Sequence, residues 1–266
     1  MTGTCTFTMT IGAIVASDYR TAAVFQRHGI DFCCNGARTL ERACRNAGAD
    51  TAAIVRELEE VTSRPDQLLP RFNSWDVPAL VSYIVANHHA YVREMLPLLI
   101  SHSGKIADVH RHRHPELPRV AQLVRQIADE MTAHMMKEEQ ILFPYIVRLA
   151  AAKAGGLAAP SAPFASIVNP IHKMEAEHES AGHIMLELRE LTDGFKRPDD
   201  ACSTYAACLQ ELEAFERDLH THVHLENNLL FPKASALETA TTEAAGQRPQ
   251  ESFASGVSRA DKPLVQ

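Results

Sequence analysis

Hydrophobic residues recur with a helical period in four long stretches of the chain. Their apolar positions alternate in steps of three and four residues, which places them on one face of a helix. The stretches begin near Asp76, Arg119, Asn169 and Asp199, and connectors that contain proline or glycine separate them. Such a face is the seam that a bundle helix buries. The pattern predicts an all-α fold built on an up-down-up-down four-helix bundle.

The predicted seam carries polar residues at regular places. An eleven-residue stretch occurs at residues 134–144 and again at residues 222–232, and both copies read HxxxExx[IL]LFP. Residues i and i+4 of a helix share a face, so each copy directs an imidazole and a carboxylate at one point. The helical stretch before each copy adds one histidine at a seam position. The repeat therefore brings six polar residues into one bundle: His89, His134, Glu138, His178, His222 and Glu226.

These six residues are predicted to be metal ligands. A buried carboxylate without a partner costs several kcal/mol or takes up a proton, and a bound cation compensates for it. Four imidazoles and two carboxylates are too many ligands for one zinc ion and too rich in nitrogen for magnesium or calcium. Two octahedral ions fit better, each with two histidines, and with both glutamates and a solvent-derived oxygen as bridges. Iron suits this mixture of ligands, and manganese is the alternative.

Further acidic residues near the predicted ligands are candidates for a supporting role. Glu130 and Asp218 each lie four residues before the histidine of an HxxxE copy, on the same helix face. Carboxylates commonly orient a metal-bound histidine through its outer N–H. Glu177 precedes His178 and is a candidate for an access route. The remaining histidines and one acid lie off the seam and are predicted to be surface residues: His88, Glu139, His172, His183 and His224.

The rest of the chain predicts smaller units around the bundle. Short helices are expected at about residues 10–27, 40–47 and 51–61. A turn-rich connector, IDFCCNG, lies between the first two. The C-terminal stretch is rich in Ala, Thr, Ser and Gly and has no sustained apolar period, which predicts disorder. The chain is thus divided into a small helical domain, a linker, the bundle and a disordered tail, at residues 1–63, 64–75, 76–238 and 239–266.

Composition excludes several classes of protein. Of the 266 residues, 45% are hydrophobic and 22% are charged, as in a soluble globular protein. The net charge of −7, without a basic cluster, argues against nucleic acid and anionic membranes as partners. No apolar run approaches the roughly 20 residues of a membrane span, and the N-terminus does not resemble a secretory signal. The six cysteines follow no regular disulfide spacing, which predicts the cytoplasm.

The motifs together resemble a known family. The seam residues, with MMKEEQILFP and HLENNLLFP, are similar to the hemerythrin-like di-iron domain. The stretch GIDFCCNG at residues 29–36 resembles the short N-terminal domain of the repair of iron centres (RIC) proteins, of the ScdA/YtfE type. The two motifs come in the family's order, and the resemblance covers about residues 10–235.

The resemblance implies roles for particular residues. It makes the six seam residues the ligands of two iron ions. It also matches Glu130 and Glu177 to acidic residues on a path towards the site, and Cys33–Cys34 to a pair of cysteines. Asn35 stands where the family usually has a second glycine, and asparagine also tolerates a left-handed turn.

The function that the resemblance implies is that of a cytoplasmic stress protein which helps to restore iron-sulfur clusters damaged by nitric oxide or oxidants. Iron donation from a labile di-iron site and binding or reduction of nitric oxide are both implied as mechanisms. The expected partners are damaged iron-sulfur proteins, nitric oxide or oxygen as a small ligand, and an electron donor of unknown identity. A homodimer is compatible with the sequence.

The adjacent cysteines Cys33 and Cys34 have two interpretations. A vicinal disulfide is strained, so the first interpretation is two local thiols, one of them buried. The second is a surface dithiol that exchanges electrons with the bundle or receives iron or nitric oxide. Exposure beside Gly36 favours the second, with the N-terminal unit docked near the open end of the bundle.

Two other functions stay open. One is a hemerythrin-like protein that binds nitric oxide or oxygen reversibly, as a sink. The other is a di-iron oxidoreductase of the nitric oxide reductase type. It would need an electron donor, and the sequence shows no flavin, nicotinamide or iron-sulfur motif. Whether the protein is an enzyme is therefore left open.

Overall fold

The computed structural model describes residues 8–63 and 72–246, and within these residues the chain is helical and contains no β-strand. A small N-terminal unit of four helices precedes four long helices that pack as a bundle. The predicted all-α fold is confirmed. None of the described helices combines the length and the apolarity needed to cross a membrane.

The N-terminal unit consists of short helices. They are α1 (Ile11–Ser17), α2 (Ala22–Arg27), α3 (Leu40–Ala47) and α4 (Thr51–Ser63), with a 3-10 turn at Tyr19–Thr21. The prediction of a single helix at residues 10–27 is wrong, because the backbone becomes extended at Asp18 and the first helix ends there. The Asp18 carboxylate accepts the backbone N–H of Arg20, and such a local bond competes with continuation of a helix.

Four long helices form the bundle. Helix α5 comprises Val77–Tyr83, Ile84–His89 and Ala90–His110, α6 comprises Leu117–Lys137, Glu138–Leu142 and Phe143–Ala154, α7 is Val168–Leu191, and α8 comprises Ser203–Leu225, Glu226–Leu230 and Phe231–Gly246. Helix α5 packs against α6 and α8, and α6 packs against α7. Loops join consecutive helices, so that each helix reverses the direction of the one before it.

Helix α5 begins as its sequence predicts. Asp76 caps the helix by accepting the backbone N–H of Ala79 (2.8 Å), and Pro78 lies in the first turn, where its missing N–H does no harm. A proline in a helix interior commonly kinks or ends the helix, but Pro97 lies inside the segment Ala90–His110 without ending it.

Three of the bundle helices contain a wide, π-helical turn. These turns are Ile84–His89, Glu138–Leu142 and Glu226–Leu230, where regular helices were expected. Pro144 and Pro232 follow the last two. A proline lacks an N–H, and its ring clashes with the carbonyl four residues earlier, which in both cases lies inside the wide turn. The prolines of the two LFP sequences were therefore a signal for a wide turn.

Two apolar clusters fill the protein, on either side of a polar layer. The first unites the N-terminal unit with bundle residues such as Leu96, Val124 and Leu212. The second lies at the other end of the bundle and includes Leu80 and Ile146. Along every bundle helix, the predicted metal ligands lie where the residues of the first cluster give way to those of the second. The predicted ligands thus form a layer at the boundary of two hydrophobic cores.

The N-terminal unit lies against α8 beside the second copy of the repeat. Asn228 Nδ2 donates to the carbonyl oxygens of Phe32 (3.2 Å) and Cys33 (3.3 Å). A Cβ atom on Gly36 would lie only 2.0 Å from Asn228 Oδ1, so a glycine is required for this close approach. The unit was expected near an open end of the bundle. It packs instead on the side of α8, at the level of the ligands.

The C-terminal boundary differs from the expected one. Residues 239–246 were assigned to a disordered tail, but they continue helix α8, which ends at Gly246. Residues 247–266 of that expected tail and residues 64–71 of the expected linker lie outside the described residues. Residues 72–74, at the end of the expected linker, form a 3-10 turn.

Glu238 explains why α8 continues past the expected boundary. Its carboxylate accepts hydrogen bonds from the Tyr145 hydroxyl (3.0 Å), the Ser166 hydroxyl (2.8 Å) and the backbone N–H of Ile167 (3.0 Å). Thr241, one turn later, is buried. These contacts hold the end of α8 against α6 and the start of α7.

We expect Glu238→Ala to lower the free energy of unfolding by about 1–3 kcal/mol, because it leaves donors on two buried residues and one half-buried residue without their acceptor. Urea unfolding monitored by circular dichroism measures the change. Glu243→Ala is the matched control, since Glu243 is exposed on the same helix and its loss should change stability by about 0.5 kcal/mol or less. Equal effects of the two substitutions would contradict the anchoring role of Glu238.

Candidate metal centre

Six buried side chains meet in the middle of the bundle, and none of them is more than 1% exposed. Helix α5 contributes His89, α6 His134 and Glu138, α7 His178, and α8 His222 and Glu226. Their donor atoms form two groups, each with all atoms within 4.8 Å of one another. One group contains His89 and His222, the other His134 and His178, and both contain the two glutamates. The fold thus brings all six predicted ligands together.

The imidazoles face one another in pairs. His89 Nε2 lies 3.1 Å from His222 Nε2, and His134 Nε2 lies 3.0 Å from His178 Nε2. Glu226 spans the two pairs, since its Oε1 lies 3.0 Å from His222 Nε2 and its Oε2 lies 3.0 Å from His178 Nε2. A carboxylate in this position has one oxygen for each pair.

Glu138 spans the pairs from the other side. Its Oε2 lies 3.3 Å from His134 Nε2 and 3.4 Å from His89 Nε2. Although these nitrogens are near, neither oxygen of Glu138 nor Oε2 of Glu226 receives a hydrogen bond of acceptable geometry from the described residues. Buried oxygens without such bonds are costly. The side chains fit a bound cation, because nitrogen and oxygen lone pairs converge on common points.

Electrostatics keep both carboxylates ionised when no cation is bound. Burial acts to raise the pKa of Glu138 and of Glu226, but the surrounding histidines outweigh it and the pKa of each carboxyl lies below its ordinary value. Burial acts to lower the pKa of His89 and His134, yet the two carboxylates raise these pKa values to about 10 and about 9. For His222 burial prevails and lowers the pKa. A metal ion therefore has to displace protons from the first two imidazoles.

Three of the predicted ligands lie at the ends of the wide helical turns. His89 is the last residue of one wide turn, and Glu138 and Glu226 are the first residues of the other two. A wide turn inserts an extra residue and changes the direction of the side chains that follow. The wide turns of α6 and α8 therefore begin at the carboxylates that span the imidazole pairs.

Three of the four histidines donate their outer N–H to a side chain. The bonds run from His89 Nδ1 to Glu139 Oε1 (2.7 Å), from His134 Nδ1 to Glu177 Oε2 (2.9 Å) and from His178 Nδ1 to Asn227 Oδ1 (2.8 Å). In a neutral ring each bond holds the proton on Nδ1, so that Nε2 is the nitrogen that faces the centre and can bind a cation. His222 Nδ1 is buried and finds no hydrogen-bond partner in the described part of the chain.

Two of the predicted supporting acids lie on α6 and α7. Glu177 accepts the N–H of His134, and a salt bridge to Lys137 adds to the charges around it. Burial acts to raise the pKa of Glu177, but Lys137 and His134 outweigh it, so the pKa is lowered. Glu130 accepts a hydrogen bond from Ser180 Oγ (3.0 Å) instead of orienting His134.

Asp218 was expected to support His222, and its observed partner is different. Its carboxylate accepts the Nδ1–H of His88 (2.8 Å). Side chains four residues apart on a helix lean in the same direction, so a carboxylate there lies alongside the imidazole and not beyond its outer nitrogen. The spacing rule therefore pointed to the right helix face but to the wrong contact.

Three residues that were predicted to lie on the surface are not exposed: His88 and Glu139 lie beside the centre, and His224 packs against Tyr19 and Phe32 of the N-terminal unit. His88 and His224 are buried, and Glu139 is half-buried at His89, whereas His172 and His183 are exposed as predicted. Burial lowers the pKa of His224 to about 4, and the neutral ring accepts a hydrogen bond from Asn228. The repeat offered a signal for the role of Glu139. Glu139 and Asn227 each follow the glutamate of their copy, and so occupy equivalent positions next to the cluster.

The predicted cysteines lie in a loop that is organised by Asp31. The Asp31 carboxylate accepts the backbone N–H groups of Cys33 (3.0 Å) and Cys34 (2.9 Å) and the side-chain amide of Asn35 (2.6 Å). Asn35 does not have a positive φ angle, so no left-handed turn is needed there. The two Sγ atoms are 4.0 Å apart, Cys33 is buried and Cys34 is half-buried. The Cys34 thiol, burial and Asp31 raise the pKa of Cys33.

One amide connects this loop with the bundle centre. Asn227 accepts the N–H of His178 through Oδ1, and its Nδ2 donates to the carbonyl oxygen of Cys33 (3.3 Å). The same side chain thus touches a predicted ligand and the cysteine loop. Sequence reasoning did not single out Asn227.

Comparisons with known proteins agree with the two-part architecture. The family model described as "Hemerythrin HHE cation binding domain" matches residues 80–234. The model ScdA_N, described as a domain of unknown function (DUF542), matches residues 8–62. Proteins named "Iron-sulfur cluster repair protein YtfE" from Yersinia pestis and Yersinia pseudotuberculosis are each 36% identical to this chain over 225 residues. The matched residues make up 84% of this chain and 95% of each relative.

The chain belongs to the YtfE family. The cation-binding domain of the family model includes all six residues of the buried His/Glu cluster. The ScdA_N match includes the cysteine loop. Both parts of this YtfE-family chain that resembled known domains therefore match family models.

The metal-free protein is expected to lose stability as the pH rises from 7 to 8.5. The pKa values of His89 and His134 are about 10 and about 9 in the folded state, against an ordinary value of 6.5. In this window the folded state holds protons that the unfolded state has lost, which costs about 1.4 kcal/mol per proton and pH unit. Burial lowers the pKa of His222 and His224, so both rings are neutral in the folded state here, and the stability that they contribute as the pH rises through 6.5 is largely present already at pH 7.

Chemical unfolding of the metal-free protein at several pH values measures this dependence. The metal-loaded protein is the control, because a metal-bound nitrogen carries no proton and the slope should be smaller. A free energy of unfolding that stays constant over this window would show that the two imidazoles are neutral in the metal-free protein.

Proposed function

We propose that the buried cluster holds two iron ions. One ion binds His89 and His222, the other binds His134 and His178, and Glu138 and Glu226 bridge them together with an oxo or hydroxo group. The single observation that carries this proposal is the pair of fully buried carboxylates, three of whose four oxygens lack a hydrogen bond from the described residues although four imidazole nitrogens surround them. Iron suits mixed imidazole and carboxylate ligands and supplies redox chemistry when bound.

We propose further that the protein helps to repair iron-sulfur clusters after nitrosative or oxidative damage. Relatives that are 36% identical carry the name iron-sulfur cluster repair protein, and the matched part of the chain includes the bundle and the cysteine loop. The clients would be damaged iron-sulfur proteins. Iron donation and the binding or reduction of nitric oxide are the two mechanisms that we propose for this role.

Nitric oxide or oxygen is the proposed small ligand of the centre. Six protein ligands, two of them shared, do not fill the coordination of two octahedral ions, so positions remain for a diatomic molecule. The buried surroundings of the cluster would shield such a ligand from water. Reduction of nitric oxide would require an external electron donor.

The cysteine loop is proposed to take part in iron or electron transfer. Asp31, Cys33 and Cys34 offer three donor atoms within 4.8 Å of one another, which could receive an iron ion. Asn227 joins the loop to His178. The raised pKa of Cys33 favours a neutral thiol there, so Cys34, which is more exposed, would be the first to react.

The proposed location is the cytoplasm. The five described cysteines, Cys33, Cys34, Cys44, Cys202 and Cys208, are all free thiols. Free thiols are usual in a reducing compartment, whereas secreted proteins commonly pair them.

We expect protein purified without added metal to contain about two irons per chain, seen by Mössbauer spectroscopy as an antiferromagnetically coupled pair. Glu138→Ala or Glu226→Ala should lose metal and loosen the bundle, because four buried histidines are left without a cation. Glu179→Ala is the control, since Glu179 is exposed on α7 next to His178. Two tightly held irons in either variant would rule out the bridging role, and one zinc ion in the wild type would rule out the di-iron centre.

A Cys33→Ala/Cys34→Ala variant should keep its iron but repair a nitric oxide-damaged cluster more slowly than the wild type. The repair rate is measured by recovery of activity of a damaged iron-sulfur enzyme. Cys202→Ala is the matched control, because Cys202 is an exposed thiol at the start of α8, away from the loop. Repair at the wild-type rate by the double variant would remove the cysteines from the mechanism.

A further inference from the structure

The two halves of the bundle present equivalent positions around the centre. Position 88 corresponds to 177, 89 to 178, 134 to 222, 138 to 226, and 139 to 227. The offset is 88 or 89 residues throughout. The six ligands obey this internal twofold relation, since each ligand has an identical residue at its equivalent position. The residues that contact their outer nitrogens do not obey it.

The first departure is at positions 139 and 227. Glu139 accepts the N–H of His89 (2.7 Å), and Asn227 accepts the N–H of His178 (2.8 Å). The contact is the same, but a carboxylate has been replaced by an amide. Glu139 is also held by Arg93, whose guanidinium lies 2.7 Å away. Both histidines are oriented.

The second departure is at positions 177 and 88. Glu177 accepts the N–H of His134 (2.9 Å). At the equivalent position, His88 stacks on the His222 ring, with centroids 5.8 Å apart and planes 12° apart, and donates its own Nδ1–H to Asp218. His222 Nδ1 and His88 Nε2 are both buried, and neither finds a hydrogen-bond partner among the residues described. No acceptor therefore fixes the tautomer of His222.

These departures make the two halves of the centre unequal. In the pair His134 and His178, both imidazoles are oriented by an acceptor on the outer nitrogen. In the pair His89 and His222, only His89 has such an acceptor. Loss of such an outer contact typically lowers metal affinity by about 10- to 100-fold, because the imidazole is less basic and less well oriented.

We propose that the His89–His222 position is the weaker of the two metal positions, because residue 88 does not supply an acceptor to His222, and that its ion is the first to leave. This inference rests on the proposed two-metal centre and deepens it. A protein that donates iron must release one ion without losing the fold. The ion at His134 and His178 then stays and neutralises the buried glutamates.

Two matched substitutions test which position is weaker. Glu139→Ala and Glu177→Ala each remove the acceptor from the outer nitrogen of one histidine, and each leaves a neighbouring cation, Arg93 or Lys137, without its partner. Anaerobic titration with Fe²⁺ alone, in competition with a chromophoric chelator, gives the first and second dissociation constants. Thermal unfolding of the metal-free variants shows that they are folded.

The wild type should bind two Fe²⁺ ions with clearly different dissociation constants. Glu139→Ala should raise the second constant, that of the weaker ion, by about 10- to 100-fold and leave the first within about threefold. Glu177→Ala should raise the first constant. The reverse assignment, or two equal constants in the wild type, would overturn the inference and leave the di-iron proposal intact. A wild type that binds fewer than two ions would overturn the di-iron proposal itself.

A third variant, His88→Gln, tests the cause. Its amide offers an oxygen to His222 and an N–H to Asp218, as Asn227 does for His178 and Cys33. We expect the second dissociation constant to fall about tenfold while the first is unchanged. A second constant that stays the same or rises, in a variant that unfolds at the wild-type temperature, would show that the missing acceptor is not what weakens this position.

Discussion

The burial of two ionised carboxylates inside an apolar bundle is the constraint on which the rest of the structure depends. Glu138 and Glu226 are fully buried between two hydrophobic clusters, where an uncompensated charge would oppose folding. Four imidazoles, drawn from all four helices, surround them. Without metal, protons on two of the imidazoles balance the charge, and a cation takes over this role when it binds. The helices must therefore stay in register at this layer.

The wide turns show how the helices meet this constraint. A regular helix places side chains at fixed angles, and the two copies of the repeat each depart from it at the glutamate. The proline at the end of each copy makes a regular hydrogen-bond pattern impossible at that point. In both copies the irregular backbone and the buried carboxylate therefore occur in the same turn, just before the LFP sequence. Helix α5 has a wide turn as well, without a proline just after it.

The N-terminal unit is connected to the same layer. Asn227 and Asn228 stand where the first copy has Glu139 and Gln140, and both asparagines donate hydrogen bonds to the cysteine loop. An amide can accept from a histidine and donate to a carbonyl at the same time, which a carboxylate cannot do. The two halves of the bundle thus differ in the residues that surround the cluster. This difference joins the cysteine loop to His178, and it makes the outer contacts of the four histidines unequal.

The sequence by itself determined the helical bundle, its four long helices and the six residues of the central cluster. Apolar periodicity and the HxxxE repeat indicate which residues share a helix face. This can be read from the sequence because it depends only on the spacing of residues along one helix. Tertiary structure alone decided the outer contacts. Glu139 reaches His89 and Asp218 reaches His88 across helix interfaces. Residue spacing along one helix does not predict such contacts, because it contains no information on which residues of a neighbouring helix lie opposite. The end of α8 was missed for the same reason, since Glu238 is held by donors on α6 and at the start of α7.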